Sequence, residues 1–179
     1  MSVEPIETKN LKLIAYSPQH ILAMIEGVDG FTRSFGWPPA NELRDFYLSK
    51  DVSPQWLAQL RTATDADVWR HGFGVVHMAS DQVIGAGGFK GPPGEDGAAE
   101  IAYGIVPQYQ GRGYATEVAA ALVEFAVKSG RVRIARAHTL PEKNASTRVL
   151  TKCGFEFIGE VIDPEDGPVW RWEKVIQIA

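Results

Sequence analysis

The stretch Gln108-Tyr109-Gln110-Gly111-Arg112-Gly113-Tyr114-Ala115-Thr116 (QYQGRGYAT) sets two glycines and an arginine between an apolar run and a long amphipathic segment. Downstream, Ala115, Val118, Ala119, Leu122, Phe125 and Ala126 recur at steps of three and four, which predicts a helix from Gly113 to Lys128 stopped at Gly130. Upstream, Ala98 to Val106 reads as a strand. A strand feeding a glycine turn that opens a helix leaves backbone N–H groups unpaired at the positive end of the helix dipole. Such a turn accepts phosphate, and Gly111, Gly113 and the charge of Arg112 make a pyrophosphate the economical ligand. A tight connection that binds nothing is the simpler use of the same two glycines.

Two further strands precede this unit. Trp69 to Ala79 and Gln82 to Lys90 are rich in β-branched and aromatic residues, with turns at Ser80-Asp81 and Gly91 to Gly97, so three consecutive antiparallel strands are expected. Nearer the N-terminus, Leu11 to Ala15 reads as a strand, and Ser17-Pro18 caps a helix reaching Glu26. Gly27 to Ala40 reads as a loop carrying Phe31, Phe35, Trp37, Pro38 and Pro39, followed by helices over Asn41 to Leu48 and Pro54 to Thr62. Beyond the central helix come a strand over Arg133 to Thr139, a helix over Asn144 to Cys153 ended by Gly154, and two strands, Phe155 to Ile162 and Val169 to Val175.

With 179 residues, 45% of them apolar, the chain suits a single domain over 1–179. Neither a secretory leader nor a run of eighteen apolar residues is readable, so a cytoplasmic protein without membrane attachment is expected. Cys153 stands alone, which excludes an internal disulfide and a cysteine-based zinc site, and His20, His71, His77 and His138 suggest no metal ligand set. The net charge of −4 argues against a nucleic-acid partner, yet Gln108 to Lys152 holds eight basic against three acidic residues, as a compact anionic ligand would require. Two nucleotide motifs fail: no lysine follows a suitable glycine as in a Walker A loop, and Thr116 occupies the third glycine place of a Rossmann fingerprint.

The pattern Gln108-x-x-Gly111-x-Gly113-x-Ala115, an amphipathic helix, a strand and then Asn144 to Phe155 (NASTRVLTKCGF) resembles the acetyl-coenzyme A signature of the GNAT superfamily of N-acetyltransferases. The variants GYATE and S-x-x-V-L-x-K-x-G-F resemble its branch of ribosomal-protein alanine acetyltransferases, and the order of elements matches over nearly the whole chain. The resemblance implies an α/β (α+β) fold with a mixed, mostly antiparallel central sheet of six to seven strands flanked by helices. It implies a splay between strands four and five, here Ala98 to Val106 and Arg133 to Thr139, with acetyl-CoA as cosubstrate in the opening and no metal. It assigns the pyrophosphate to the amides of Gln110, Gly111, Arg112, Gly113, Tyr114 and Ala115 with the Thr116 hydroxyl, the pantetheine arm to Ile105 and Val106, and a further contact to Asn144.

Transfer of acetyl from sulfur to nitrogen needs a neutral amine. At pH 7 deprotonation costs about 4.6 kcal/mol for a lysine-like amine but only about 1 kcal/mol for an α-amino group. Glu100 is the first candidate base, on a strand face with Ala98, Ala102 and Gly104, and His138 at the far side of the expected split is the second. A main-chain N–H near Tyr103 to Ile105 would serve the oxyanion. Many family members carry an acidic tyrosine where this chain has Leu150; Ser146 matches the serine of the alanine-acetyltransferase branch, and Tyr103 is another proton donor. Phe31, Phe35 and Trp37 lie where the family builds its acceptor cleft, and either wall that pocket or cover the core. The expected acceptor is an amine of a small molecule or peptide N-terminus, with a homodimer left open. The alternatives are a non-catalytic acyl-CoA-binding or sensing module, and a nucleotide-binding oxidoreductase.

Overall fold

The computed structural model describes residues 3–48 and 53–176. Its centre is a sheet of eight strands, β1 (Ile6–Glu7), β2 (Leu11–Ala15), β3 (Phe73–His77), β4 (Gln82–Phe89), β5 (Ala98–Ile105), β6 (Ile134–Thr139), β7 (Glu156–Asp163) and β8 (Gly167–Val175), in the order β1-β2-β3-β4-β5-β6-β8-β7. The helices are α1 (Pro18–Glu26), α2 (Val28–Phe35), α3 (Asp45–Leu48), α4 (Pro54–Thr62), α5 (Val68–His71), α6 (Tyr114–Ser129) and α7 (Ala145–Lys152). Every neighbouring pair of strands is antiparallel except β5 and β6. The sheet exceeds the expected six to seven strands because the two residues of β1 pair with Lys12 and Leu13. Among the described residues no helix is long and apolar enough to cross a membrane.

One defect in the sheet organises everything else. The parallel ladder between β5 and β6 holds for three pairs, Ala98–Ile134, Ala99–Ala135 and Glu100–Arg136. Beyond it β5 continues to Ile105 against β4 alone, and β6 continues to Thr139 against β8 alone. The sheet therefore splits just where the sequence resemblance puts the splay, leaving strand edges that face a gap instead of each other.

Helix α6 seals one face of the sheet. Val118 and Leu122 are fully buried, and a Cβ added at Gly87 of β4 would come within 2.8 Å of Val118 and 3.4 Å of Leu122. Burial of two such side chains contributes about 1.5–3 kcal/mol each, and the missing Cβ lets helix and sheet approach. Tyr16, just before α1, and Phe31 and Phe35 of α2 cover the opposite face, where a Cβ on Gly74 of β3 would meet Tyr16 and Phe35, and their ring centroids stand 4.9 Å (Tyr16–Phe35) and 5.2 Å (Phe31–Phe35) apart.

Three local expectations are corrected. The stretch Gly27 to Ala40 contains helix α2: Phe31 and Phe35, four residues apart, fall on one face and are 0% and 7% exposed, and Gly36 with φ +100° ends the helix. The strand expected from Trp69 starts at Phe73, because Asp67 caps α5 by accepting the Trp69 N–H at 3.0 Å and Gly72 then redirects the chain. The helix over Asn41 to Leu48 shortens to α3, which follows a turn with Glu42 at φ +73°.

Candidate functional site

After β5 a 3₁₀ turn over Pro107–Tyr109 leads into Gln110, whose Nε2 donates to the Ile105 carbonyl at 2.9 Å. Gly111 and Gly113 follow with φ +77° and +85°, and α6 begins at Tyr114. Gly113 is the N-cap and brings no side-chain cap, so the first amides of a sixteen-residue helix have no side-chain acceptor. A Cβ at either glycine would meet nothing within 4 Å. Packing within the protein therefore does not explain the glycines; the left-handed backbone, which aims consecutive amides outward, does.

The loop is braced in ways that spacing along the chain did not suggest. The Tyr114 hydroxyl hydrogen-bonds to His77 Nε2 at 3.0 Å, and His77 Nδ1 pairs with Ser80 Oγ at 2.8 Å. Tyr109 donates to Gln82 Oε1 at 3.0 Å and carries the Arg112 guanidinium 5.3 Å from its ring centroid.

Strand parity fixes what faces the gap. Lys90 N–H donates to the Glu100 carbonyl and Val106 N–H to the Ile84 carbonyl, both at 2.9 Å, so even-numbered residues of β5 direct their backbone at β4. Alternation then turns the backbone of Ile101, Tyr103 and Ile105 towards the split. Val106, expected to pair with an extended ligand, is spent elsewhere: its carbonyl accepts the Tyr109 N–H at 3.0 Å. The Ile105 carbonyl is taken by Gln110, which leaves the N–H groups of Tyr103 and Ile105 as the donors directed into the gap.

Side chains alternate the other way. Glu100 shares a face with Ala102 and Gly104, and its Oε1 accepts from His138 Nδ1 at 3.0 Å across the apex of the split. Oε2 meets Lys90 Nζ at 3.0 Å. His138 Nε2 accepts from Arg171 Nε at 3.1 Å, and since a guanidinium can only donate, the imidazole proton lies on Nδ1. The two candidate bases are therefore one hydrogen-bonded unit held between Lys90 and Arg171, two partners the sequence did not signal. Burial pulls the Lys90 ammonium down, but Glu100, joined by Asp166 and Asp163 of the β7–β8 turn, more than offsets this and holds it above the usual lysine range.

Residues 11–156 match the acetyltransferase (GNAT) domain family. The chain belongs to the GNAT acetyltransferase family. The N-acetyltransferase p20 of Bacillus licheniformis, itself uncharacterized, is 30% identical over 93 residues, 52% of each chain, so the match spans about half the length of that relative. Among solved structures, the ribosomal-protein-S5-alanine acetyltransferase of Vibrio fischeri superposes with a TM-score of 0.66 over 97% of both chains at 16% identity. RimL, a ribosomal L7/L12 α-N-protein acetyltransferase in complex with coenzyme A, gives 0.67 over 98% of this chain and 100% of its own at 18% identity. At such identities the likeness is one of fold.

Within this GNAT fold the remaining candidate residues separate. Tyr103 points to the α6–α7 side, where Ser146 and Cys153 flank its phenol without reaching hydrogen-bonding geometry, so the buried hydroxyl has no partner. Burial, aided by Cys153, leaves its pKa pushed up to about 12. Leu150, in the place of the family tyrosine, is wholly buried and faces the core. Asn144 is occupied as the N-cap of α7: its side chain accepts the Thr147 N–H at 3.0 Å and its own N–H donates to Thr147 Oγ1 at 3.0 Å. Ser146 is thereby freed from capping. Burial pushes the Cys153 thiol up despite nearby Lys174, and its Sγ lies 3.7 Å from the Thr116 carbonyl.

On the Glu100 face an open cleft of about 460 Å³ runs past Phe46, Tyr47, His71, Gly88, Ala102 and Gly104. Phe46 of α3 stands 3.4 Å from where a Cβ on Gly104 would be. Of the aromatic residues expected as its walls, Phe31 and Phe35 are core, and Trp37 packs edge-on to Phe35 at 5.6 Å between centroids. The aromatic lining on the helical side comes instead from Phe46 and Tyr47 of α3, a segment whose polar neighbours gave no such signal.

Proposed function

We propose that this chain, as one domain over 1–179, is a cytoplasmic N-acetyltransferase that moves the acetyl group of acetyl-CoA to a primary amine by direct attack. The observation that carries the reading is the alignment of three features along one split: uncapped loop amides at its outer end, free N–H groups on its β5 edge, and the Glu100–His138 unit at its apex. The amides of Gln110 to Ala115, with Arg112 and the Thr116 hydroxyl, hold the diphosphate, and the cosubstrate supplies the thioester carbon.

An amine entering over Ala102 and Gly104 meets Glu100. Its two oxygens already hold one cationic or imidazole partner each, and a carboxylate offers about four lone-pair directions, so sites remain for an ammonium or an intervening water. Glu100 accepts the amine proton, and His138, pinned by Arg171, fixes the carboxylate's orientation. The N–H of Tyr103 or Ile105 stabilises the oxyanion, a contribution of about 3–4 kcal/mol in comparable sites. Tyr103 stays protonated throughout the physiological range and donates to the departing sulfur; a phenol near 12 is a weaker acid than a thiol near 8.5, so it stabilises the thiolate by hydrogen bonding, the thiolate takes its proton from solvent, and Glu100 returns the amine's proton to solvent. Cys153, kept as a thiol, has no nucleophilic part.

The acceptor we favour is a peptide N-terminal amine. The cleft is an open trough rather than an enclosed pocket, and an α-amino group needs only about 1 kcal/mol of deprotonation at pH 7, which suits a base already shared with Lys90 and His138. The two superposed ribosomal-protein acetyltransferases support this choice by analogy of fold. The unpaired thiol of Cys153 is consistent with a reducing compartment.

The test is release of coenzyme A thiol, followed colorimetrically, with a panel of peptide N-termini, lysine-like amines and small polyamines. Turnover is expected with at least one peptide N-terminus. Coenzyme A binding without acetylation of any amine would replace the reading by an acyl-CoA sensor, the alternative to which Leu150 in the tyrosine place points.

A further inference from the structure

The first turn of α6 carries an acidic residue, Glu117, directly after the residues assigned to a diphosphate. A carboxylate there would repel the ligand were it turned outward. It is turned inward, onto the bend between β1 and β2. Thr8 Oγ1 donates to Glu117 Oε1 at 2.5 Å, Asn10 N–H donates to the same oxygen at 2.7 Å, and Asn10 Nδ2 donates to Oε2 at 3.0 Å. These contacts join residues more than a hundred positions apart. The bend is itself fixed, since Leu11 N–H donates to Thr8 Oγ1 at 3.1 Å and Leu11 and Leu13 are fully buried. At the other end, the Glu117 N–H closes on the Gly113 carbonyl at 3.1 Å. One residue thus ties a rooted strand turn to the N-cap glycine of α6.

We propose that Glu117, held by Thr8 and Asn10, is a positioning residue that clamps the coenzyme-binding loop in its left-handed form. The inference rests on the reading of that loop as the diphosphate site. Two cis-acting effects follow from the clamp. Glycine leaves the left-handed form as readily as it enters it, so a clamp that holds Gly111 and Gly113 there leaves less ordering to be done when the ligand arrives. The carboxylate's charge is absorbed by three donors and by Lys9: partial burial pushes Glu117 up, but the Asn10 and Thr8 hydrogen bonds outweigh it and hold the group below the ordinary glutamate range.

A side-chain swap tests this. Asn10→Asp sets a carboxylate against Glu117, and Glu117→Gln in the same chain restores one donor facing one acceptor. Coenzyme A affinity is measured by calorimetry, acetyl-CoA KM and kcat by thiol release, and folding by thermal melts. Asn10→Asp is expected to raise both Kd and KM about tenfold with kcat within about twofold, as loss of a charge-assisted hydrogen bond would. The double variant is expected to return to within about twofold of the parent, which a general loss of stability would not do. Unchanged affinity in Asn10→Asp, or a double variant no better than the single one, overturns the clamp while leaving the loop reading intact. Failure of the parent chain to bind coenzyme A overturns the loop reading and the clamp together.

Discussion

Gly113→Val is expected to weaken coenzyme A binding about a hundredfold while the chain still folds. Gly113 sits at φ +85°, and nothing lies within 4 Å of the position a Cβ would take. A β-branched residue meets no clash, only backbone strain, and holding it left-handed costs about 1–3 kcal/mol. The loop can escape that strain by rotating to negative φ, because no packed neighbour holds it at that point. Rotation turns the amides of α6's first turn away from their common focus, so the diphosphate loses several charge-assisted hydrogen bonds at once. Calorimetric titration with coenzyme A measures the effect, and a thermal melt shows whether the fold survives. An affinity within about threefold of the parent would mean that the glycine serves only the chain's own turn.

The second large effect is expected at the other end of the split. Glu100→Gln should lower kcat/KM for acetyl transfer about a hundredfold near pH 7, the usual magnitude for removal of a positioned base. The amide keeps the size of the side chain and a hydrogen bond to His138, but it cannot take the amine's proton. Free amine then has to come from solution, where its fraction rises about tenfold per pH unit below the amine pKa. The deficit should therefore shrink as pH rises from 6 to 9, and acetyl-CoA KM should stay near the parent value because Glu100 lies on the face opposite Tyr103 and α6. A constant deficit across that range would make Glu100 an orienting group, and no deficit would remove it from the mechanism.

Much of this architecture could be read from residue periodicity. The three- and four-residue spacing of Val118, Ala119, Leu122 and Ala126 predicted α6 to within a residue at each end, because those side chains are the ones buried against β4 and β5. Leu11–Ala15, Pro18–Glu26 and Pro54–Thr62 were equally plain from their caps and alternation. Helix α2 was hidden because Gly27, Gly30, Gly36 and two prolines in fourteen residues imitate a loop, while only Phe31 and Phe35 report its buried face. The one-turn helix α5 was masked by strand-forming residues, and Asp67 was the sole clue.

At the site, parity along β5 correctly grouped Glu100 with Ala102 and Gly104, since alternation is local. What sequence could not convey was contact between elements. The ladder ends at the pair Glu100–Arg136, and His138, two residues farther along β6, turns its ring back to Glu100, while Arg171 of β8 and Lys90 just past β4 join them. The clamp on Glu117 spans more than a hundred residues and has no periodic signature. Conversely, the concentration of aromatic residues at Phe31 and Phe35 looked like a binding wall but supplies core volume, whereas Phe46 and Tyr47 reach the cleft.

A diphosphate seated against the turn that opens α6 is the contact on which the proposed chemistry depends, and a crystal structure of the chain with coenzyme A tests it most directly. The expected result is phosphate oxygens within hydrogen-bonding distance of amides between Gln110 and Ala115, with the arm passing between β5 and β6 beside the Tyr103 and Ile105 N–H groups. A diphosphate bound on any other surface, with those amides left to solvent and the gap unfilled, would contradict it.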